Sequence, residues 1–352
     1  MSKQNSRRNF LTSAAYGPVW AGLTTLGLAC GTTTPPVVET AVVPAPPRRN
    51  RIGQGDFTYA VDRRWGEQNP EQYPVMHCHE MVMDHQGRLI LLTTDRRNNI
   101  LVYNKDGRVT NYWTHDLVEA HGLTITGEGS DQSLWITDCA AGRVLNVSLD
   151  GRVIRELVLP SGVIPANQEY KPTETAIAPN GDIYVADGYG SNLILHYDRL
   201  GRLKHFFGGP DHFDCAHGIA LDTRTEEPTL LITSRTGNNF QRWTLAGEHL
   251  QTYATPGLWI CRPVIDGEFT YFAVISTKDW WQYDGMIAIF DKDMKVVSMP
   301  GGSTPPTNQD FRSVEYDDTF LNPHDVCVDE DGNLYVPQWN SGRTYPIRLK
   351  RS

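Results

Sequence analysis

Short runs in which apolar and polar residues alternate return along the chain about every 40 residues. The clearest copy reads His217-Gly218-Ile219-Ala220-Leu221-Asp222: a histidine, an alternating apolar stretch, an aspartate. Related phrases start at His79, His121 and His324. A glycine turn, a second apolar strand and a polar loop follow each one. The third repeat shows the whole unit: Thr175 to Ala178, the turn Asn180-Gly181, Asp182 to Asp187, the loop Gly188 to Asn192, Leu193 to Tyr197, the turn Leu200-Gly201, and Leu203 to Gly208. Period-2 alternation between Asn-Gly and Asp-Gly turns predicts four short antiparallel strands per unit. Six such units predict an all-β, six-bladed β-propeller, whose blades bury their faces only against one another. The sixth unit ends after three strands, at Tyr345 to Leu349, and a spare strand, Phe57 to Val61, precedes the first. That spare strand is expected to complete the last blade and close the ring without a free edge.

The pattern stops short of the N-terminus. Residues 1–30 read as an export signal: Arg7-Arg8 with Phe10 and Leu11 form a twin-arginine pattern ahead of a weakly hydrophobic stretch. Leu26-Gly27-Leu28-Ala29-Cys30 resembles a lipoprotein cleavage box, so Cys30 is expected to carry a lipid anchor, with soluble export as the alternative. Either route places the mature chain outside the cytoplasm, in the periplasm or on a membrane through Cys30. Residues 31–54, rich in Pro and Thr, read as a tether, and residues 55–352 as the propeller.

A formal net charge of −9, with no basic stripe, argues against a nucleic-acid partner and leaves a small molecule or a peptide. The chain is expected to be a monomer. Beyond Cys30 there are five cysteines, none at metal-knuckle spacing, and an odd number leaves at least one thiol free.

The first strand of a propeller blade lies nearest the axis, and its leading residue stands at the channel mouth. His121, His217 and His324 are about two repeat periods apart, so they head blades two, four and six. Alternate blades are related by about a third of a turn, so the three imidazoles converge on the axis. Three histidines with an open fourth position suit a catalytic zinc-like ion. His79 shares the phase on an odd blade and reads as polar lining of the mouth, with a supporting or alternative ligand role as the other reading. Glu80 and Glu174 flank the heads, where they would steer cations.

These residues resemble the NHL-repeat propeller of the peptidyl-α-hydroxyglycine α-amidating lyases from about Met81 to Leu349, most firmly at His121-Gly122-Leu123, Asp187 to Asn192, His217 to Leu221, Ser234-Arg235 and Pro323-His324-Asp325. The resemblance implies zinc on His121, His217 and His324, a catalytic tyrosine at Tyr189 and a substrate arginine at Arg235. It also implies a structural calcium held by the backbone carbonyls of Met81 and Leu123 and by Asp325. The family's first-blade arginine falls on Arg96 only after a two-residue shift from Thr94, and the cysteine usual beside the tyrosine is Gly190. The implied reaction splits a carbinolamide into an amide and glyoxylate. Two other readings stay open: a non-catalytic propeller binding a protein or glycan at the channel mouth, and a lactonase-like hydrolase. A lactonase-type site combines carboxylates and Asn around calcium, whereas these heads are mostly His.

Overall fold

The computed structural model describes residues 50–278 and 281–352; the export signal, Cys30 and residues 31–49 of the tether lie outside them. Among the described residues no helix is long and apolar enough to cross a membrane.

The chain opens with β1 (Arg51–Gln54) and β2 (Phe57–Asp62). Blade one is β3 (Cys78–Met83), β4 (Leu89–Thr93), β5 (Ile100–Tyr103) and β6 (Val109–Trp113). Blade two is β7 (Ala120–Thr126), β8 (Ser133–Asp138), β9 (Arg143–Ser148) and β10 (Val153–Glu156). Blade three is β11 (Glu174–Ile177), β12 (Ile183–Ala186), β13 (Leu193–Tyr197) and β14 (Leu203–Gly208). Blade four is β15 (Ala216–Asp222), β16 (Thr229–Ser234), β17 (Asn239–Thr244) and β18 (His249–Ala254). Blade five is β19 (Trp259–Asp266), β20 (Phe269–Ser276), β21 (Met286–Phe290) and β22 (Val296–Ser298). Blade six holds the short strands β23 (Asn322–Pro323), β24 (Cys327–Val328), β25 (Leu334–Val336) and β26 (Gln338–Trp339), then β27 (Ile347–Arg351).

The ring closes as the alternation predicts. β2 pairs antiparallel with β27, placing Val61 opposite Leu349 and Asp62 opposite Arg348. Arg348 Nη2 meets Asp62 Oδ2 at 2.7 Å, and the Arg351 guanidinium lies 4.3 Å from the centre of the Phe57 ring. One boundary is corrected. β1 pairs on the outside of β2, Ile52 opposite Tyr59, so the ring begins at Arg51 rather than at residue 55. Ile52 is buried between blades five and six, where it covers the last blade's outer edge.

The core is divided among the blade interfaces. In β4 the run Leu89-Ile90-Leu91-Leu92 is buried throughout. Ile90 and Leu92 face Leu123, Leu134 and Ile136 of blade two, while Leu89 and Leu91 face Cys327 and Tyr335 of blade six. Period 2 sends alternate residues to opposite faces, and in a propeller both faces are interfaces. That is why these strands are continuously apolar. Each such side chain contributes about 1.5–3 kcal/mol.

In the turns only the glycine takes the left-handed conformation: Gly151 has φ +87° and Gly181 φ +83°, while Asp150 and Asn180 do not. They are therefore type I turns closed by a left-handed glycine rather than two-residue type I′ turns.

Asp222 anchors the outer end of β15. Its buried carboxylate meets Arg224 Nε at 2.8 Å and Arg242 Nη2 at 2.9 Å. Burial acts to raise its pKa, but the Arg224 hydrogen bonds and both positive charges hold it below the ordinary value. A carboxyl depressed on folding adds stability above its unfolded pKa and loses it as pH falls through its folded pKa. Asp222→Asn is expected to cost about 2 kcal/mol at neutral pH, and the deficit should shrink as denaturation curves are taken down through the carboxylate range.

Candidate metal and catalytic site

Four of the six inner strands begin with a kink in their pairing. In β7 the register shifts between Ala120 and Leu123, in β15 between Ala216 and Ile219, in β19 between Ile260 and Pro263, and in β3 between Cys78 and Glu80. A bulge gives a strand an extra residue, so two consecutive side chains turn to the same side. Here both turn to the axis, and two layers stack in the channel.

The upper layer takes the leading residues His79, His121, Thr173, His217, Cys261 and His324. All four imidazoles are buried, each 1% exposed, so solvent does not separate them. The His121 ring centre lies 4.8 Å from those of His79, His217 and His324, and His79 lies 4.7 Å from His324. His121 Nδ1 meets the Thr173 carbonyl at 2.9 Å and His324 Nδ1 meets the His79 carbonyl at 3.2 Å. Each Nδ1 then carries the proton and leaves Nε2 with a free lone pair toward the centre. Burial lowers the pKa of all four, that of His121 to about 3, so they are neutral at ordinary pH.

This donor set fits a divalent transition metal. His121 Nε2 and His217 Nε2 are 3.2 Å apart. Two nitrogens on one tetrahedral zinc, each at about 2.0–2.1 Å, would be separated by about 3.3 Å. His324 Nε2 and both ring nitrogens of His79 are buried with no hydrogen-bond partner. Four neutral imidazoles turned on one point, three of them with a buried ring nitrogen that has no partner, favour an ion more than a packed core.

Tyr189 reaches this layer from the loop between β12 and β13. The Asp187 carboxylate shapes the loop by accepting from Lys171 N at 2.6 Å, Ser191 N at 2.7 Å and Ser191 Oγ at 2.6 Å. The tyrosine Oη then lies 3.0 Å from His121 Nε2 and 2.8 Å from Arg235 Nη2. Arg235 follows β16 in the equivalent loop of blade four, and its backbone N–H donates to Cys215 O at 3.0 Å. Burial pushes the Tyr189 phenol up, and the Arg235 charge pulls against it. The loop leaves no room for a side chain at residue 190, since a Cβ there would stand 2.3 Å from Glu169 O and 2.4 Å from Asp187 Oδ1. All five cysteines among the described residues are free thiols.

The sequence of the chain matches no protein-family model. A probable peptidyl-alpha-hydroxyglycine alpha-amidating lyase of Caenorhabditis elegans is 25% identical over 246 residues, 65% of this chain and 63% of that protein. Peptidyl-alpha-hydroxyglycine alpha-amidating lyase 1 of Drosophila melanogaster is 27% identical over 255 residues, 64% of this chain and 43% of that protein. NHL repeat-containing protein 3 of Mus musculus is 27% identical over 142 residues, 36% of this chain and 41% of that protein. The chain is a six-bladed propeller similar in sequence to the amidating lyases and to an NHL repeat-containing protein. It spans less than two thirds of the length of either lyase. A solved streptogramin B lyase superposes with a TM-score of 0.53 at 14% identity, over 80% of this chain and 95% of that one, a likeness of fold alone.

In this amidating-lyase-like propeller the expected residues divide into three groups. His121, His217, His324, Tyr189 and Arg235 come together as the repeat phase and the resemblance imply. Arg96 does not join them. It stands in the loop after β4, its side chain 59% exposed and its Nε 2.7 Å from Asp116 Oδ1. The expectation of a catalytic Arg96 is corrected: Asp116 supplies a counter-charge at the rim, and the loop carbonyl is tied to Thr114 Oγ1 at 2.8 Å. Met81, Leu123 and Asp325 do converge, but on another side chain. Arg262 Nε and Nη2 each lie 2.8 Å from the Asp325 carboxylate, Nη1 lies 2.8 Å from Leu123 O, and Nη2 lies 3.3 Å from Met81 O. The atoms assigned to a calcium hold a guanidinium, so this part of the site does not fit the ion.

The lower layer holds Glu80, Gly122, Glu174, Gly218, Arg262 and Asp325. Its carboxylates are buried, and burial raises the Glu80 pKa well above the ordinary value. Sequence reasoning passed over Arg262, and reached Cys261 only as a poorly aligned head of the fifth blade. The signal was available, because Cys261 stands five residues before Asp266 as His217 stands five before Asp222. His79 is corrected too. It is a buried member of the imidazole layer rather than lining of the mouth.

Proposed function

We propose that the chain is a metal-dependent lyase that cleaves the C–N bond of a carbinolamide, an acyl- or peptidyl-α-hydroxyglycine, giving an amide and glyoxylate. One observation carries this reading: the Tyr189 hydroxyl bridges His121 Nε2 and Arg235 Nη2 beside four neutral, buried imidazoles. The similarity to relatives named as amidating lyases supports it. His121, His217 and His324 would hold a zinc-like ion, which would supply polarisation of the carbinol oxygen and positive charge favouring ionised Tyr189.

The residues then take separate parts. Tyr189, as phenolate, accepts the proton of the carbinol hydroxyl. The freed electron pair forms the aldehyde C=O, the C–N bond breaks, and its pair goes to nitrogen, which takes a proton and leaves as the amide. A free phenol has a pKa of about 10, so the phenolate needs nearby positive charge, and Arg235 supplies it at hydrogen-bond distance. The same guanidinium presents a planar fork to the substrate carboxylate. The buried imidazole layer keeps bulk water from the reacting atoms. We place the reaction outside the cytoplasm on the strength of Arg7-Arg8 and Cys30.

The test is elemental analysis of the purified chain together with glyoxylate release from α-hydroxyhippurate. About one divalent transition metal per chain is expected, with glyoxylate produced in step with the amide. A chain with no stoichiometric metal, or a loaded chain that releases no glyoxylate, sinks the proposal.

A further inference from the structure

The lower layer poses its own question: what balances three buried carboxylates on the propeller axis. Arg262 reaches all three. Besides Asp325 it lies 3.3 Å from Glu80 Oε2 and 3.8 Å from Glu174 Oε2, with its side chain only 11% exposed. Its contacts with Met81 O and Leu123 O complete a shell of oxygens drawn from blades one, two, three and six. Asp325 Oδ2 also accepts from Met81 N at 3.0 Å, which ties blade six to blade one. A buried carboxylate cluster needs compensating charge, and an axial cation touching several blades also pins the ring.

We infer that Arg262 is a built-in cation: its guanidinium does the work of a bound divalent ion, so this propeller is indifferent to calcium, and removing the side chain uncovers a calcium site. The oxygen count supports this. Two carbonyls, the Asp325 carboxylate and one oxygen each from Glu80 and Glu174 make the six-oxygen, anionic set that calcium takes. Arginine suits the post because its fork grips one carboxylate with two parallel bonds and it does not lose its charge. A tethered cation is present at every calcium concentration, whereas a bound ion stabilises only by mass action. The neighbouring blade is shaped for it. A Cβ on Gly218 would stand 2.3 Å from Arg262 Cα, so only glycine lets that backbone come so close. A cavity of about 170 Å³, lined by Thr124, Thr175, Leu221 and Arg262 among others, adjoins the Arg262 side chain. None of this depends on what the imidazole layer catalyses.

The test compares thermal melting and calcium content of the full chain and of Arg262→Ala, in buffer freed of calcium on a chelating resin and then with millimolar calcium chloride. The wild-type midpoint is expected to be the same in both, with no calcium retained. Arg262→Ala should melt lower without calcium, rise by about 5 °C or more with it, and retain one calcium per chain. Arg262→Lys, which keeps the charge, should stay calcium-indifferent. Stoichiometric calcium in the wild type, a calcium-raised wild-type midpoint, or an Arg262→Ala chain that neither binds calcium nor gains stability from it would each overturn the inference. An Arg262→Ala chain that folds only when calcium is present would support it.

Discussion

Tyr189→Phe is expected to lose about 10³-fold in kcat while keeping the metal content of the wild type. Phenylalanine preserves every ring contact of the native side chain. The Tyr189 ring meets the His121 ring edge-on at 5.0 Å and the His217 ring at 5.6 Å, and the Arg235 guanidinium lies 5.3 Å from its centre. Only the hydroxyl goes, and with it the bonds to His121 Nε2 and Arg235 Nη2. Loss of a hydrogen bond costs about 1 kcal/mol, which moves the melting midpoint of a chain this size by only a few degrees. A proton acceptor contributes to the transition state and little to ground-state binding, so KM should change much less than kcat. The check is glyoxylate release at saturating substrate, with elemental analysis of the same preparation. Retained kcat would remove Tyr189 as the base and leave the imidazole layer standing as a metal site.

Gly218→Ala should produce the largest loss of stability, about 3 kcal/mol, or about 5 °C in the melting midpoint. The new Cβ would meet Arg262 Cα at 2.3 Å, Cβ at 2.6 Å and N at 2.8 Å. These are main-chain atoms or fixed to them, so no side-chain rotation relieves the clash and the inner strands of blades four and five must part. The backbone at Gly218 is not left-handed, so the cost is one of space alone. Gly267→Ala is the comparison: φ is +55° there and nothing lies within 4 Å, so only the left-handed strain of about 1–2 kcal/mol remains. Equal midpoints for the two variants would mean that the blades have slack at the axis. Because Gly218 adjoins His217 in the upper layer and touches Arg262 in the lower one, its loss should also reduce metal retention.

Much of this molecule can be read from spacing. The alternating runs define strands because period 2 is what a pleated strand imposes, and their recurrence defines blades. The phase of His121, His217 and His324 follows from the same period and places them on the axis. Arg96 shows where phase stops helping. It matches the resemblance only after a two-residue shift, and its exposed loop side chain goes to a nearby counter-charge, Asp116. The position of Tyr189 rested on resemblance. What holds it in place is Asp187, whose three accepted hydrogen bonds set the loop's course.

The sequence by itself determined the ring: six blades, closure by Phe57 to Val61, and histidines at the blade heads. Those are consequences of local periodicity, which needs no knowledge of the partner strand. The second axial layer was decided only in three dimensions. Bulges turn two neighbours inward at once, so that Arg262 of blade five meets Asp325, Glu80, Glu174 and two carbonyls contributed by four other blades. Those partners stand as many as 182 residues away along the chain. Charge compensation in a dry channel depends on which groups converge, and convergence is a property of the closed ring.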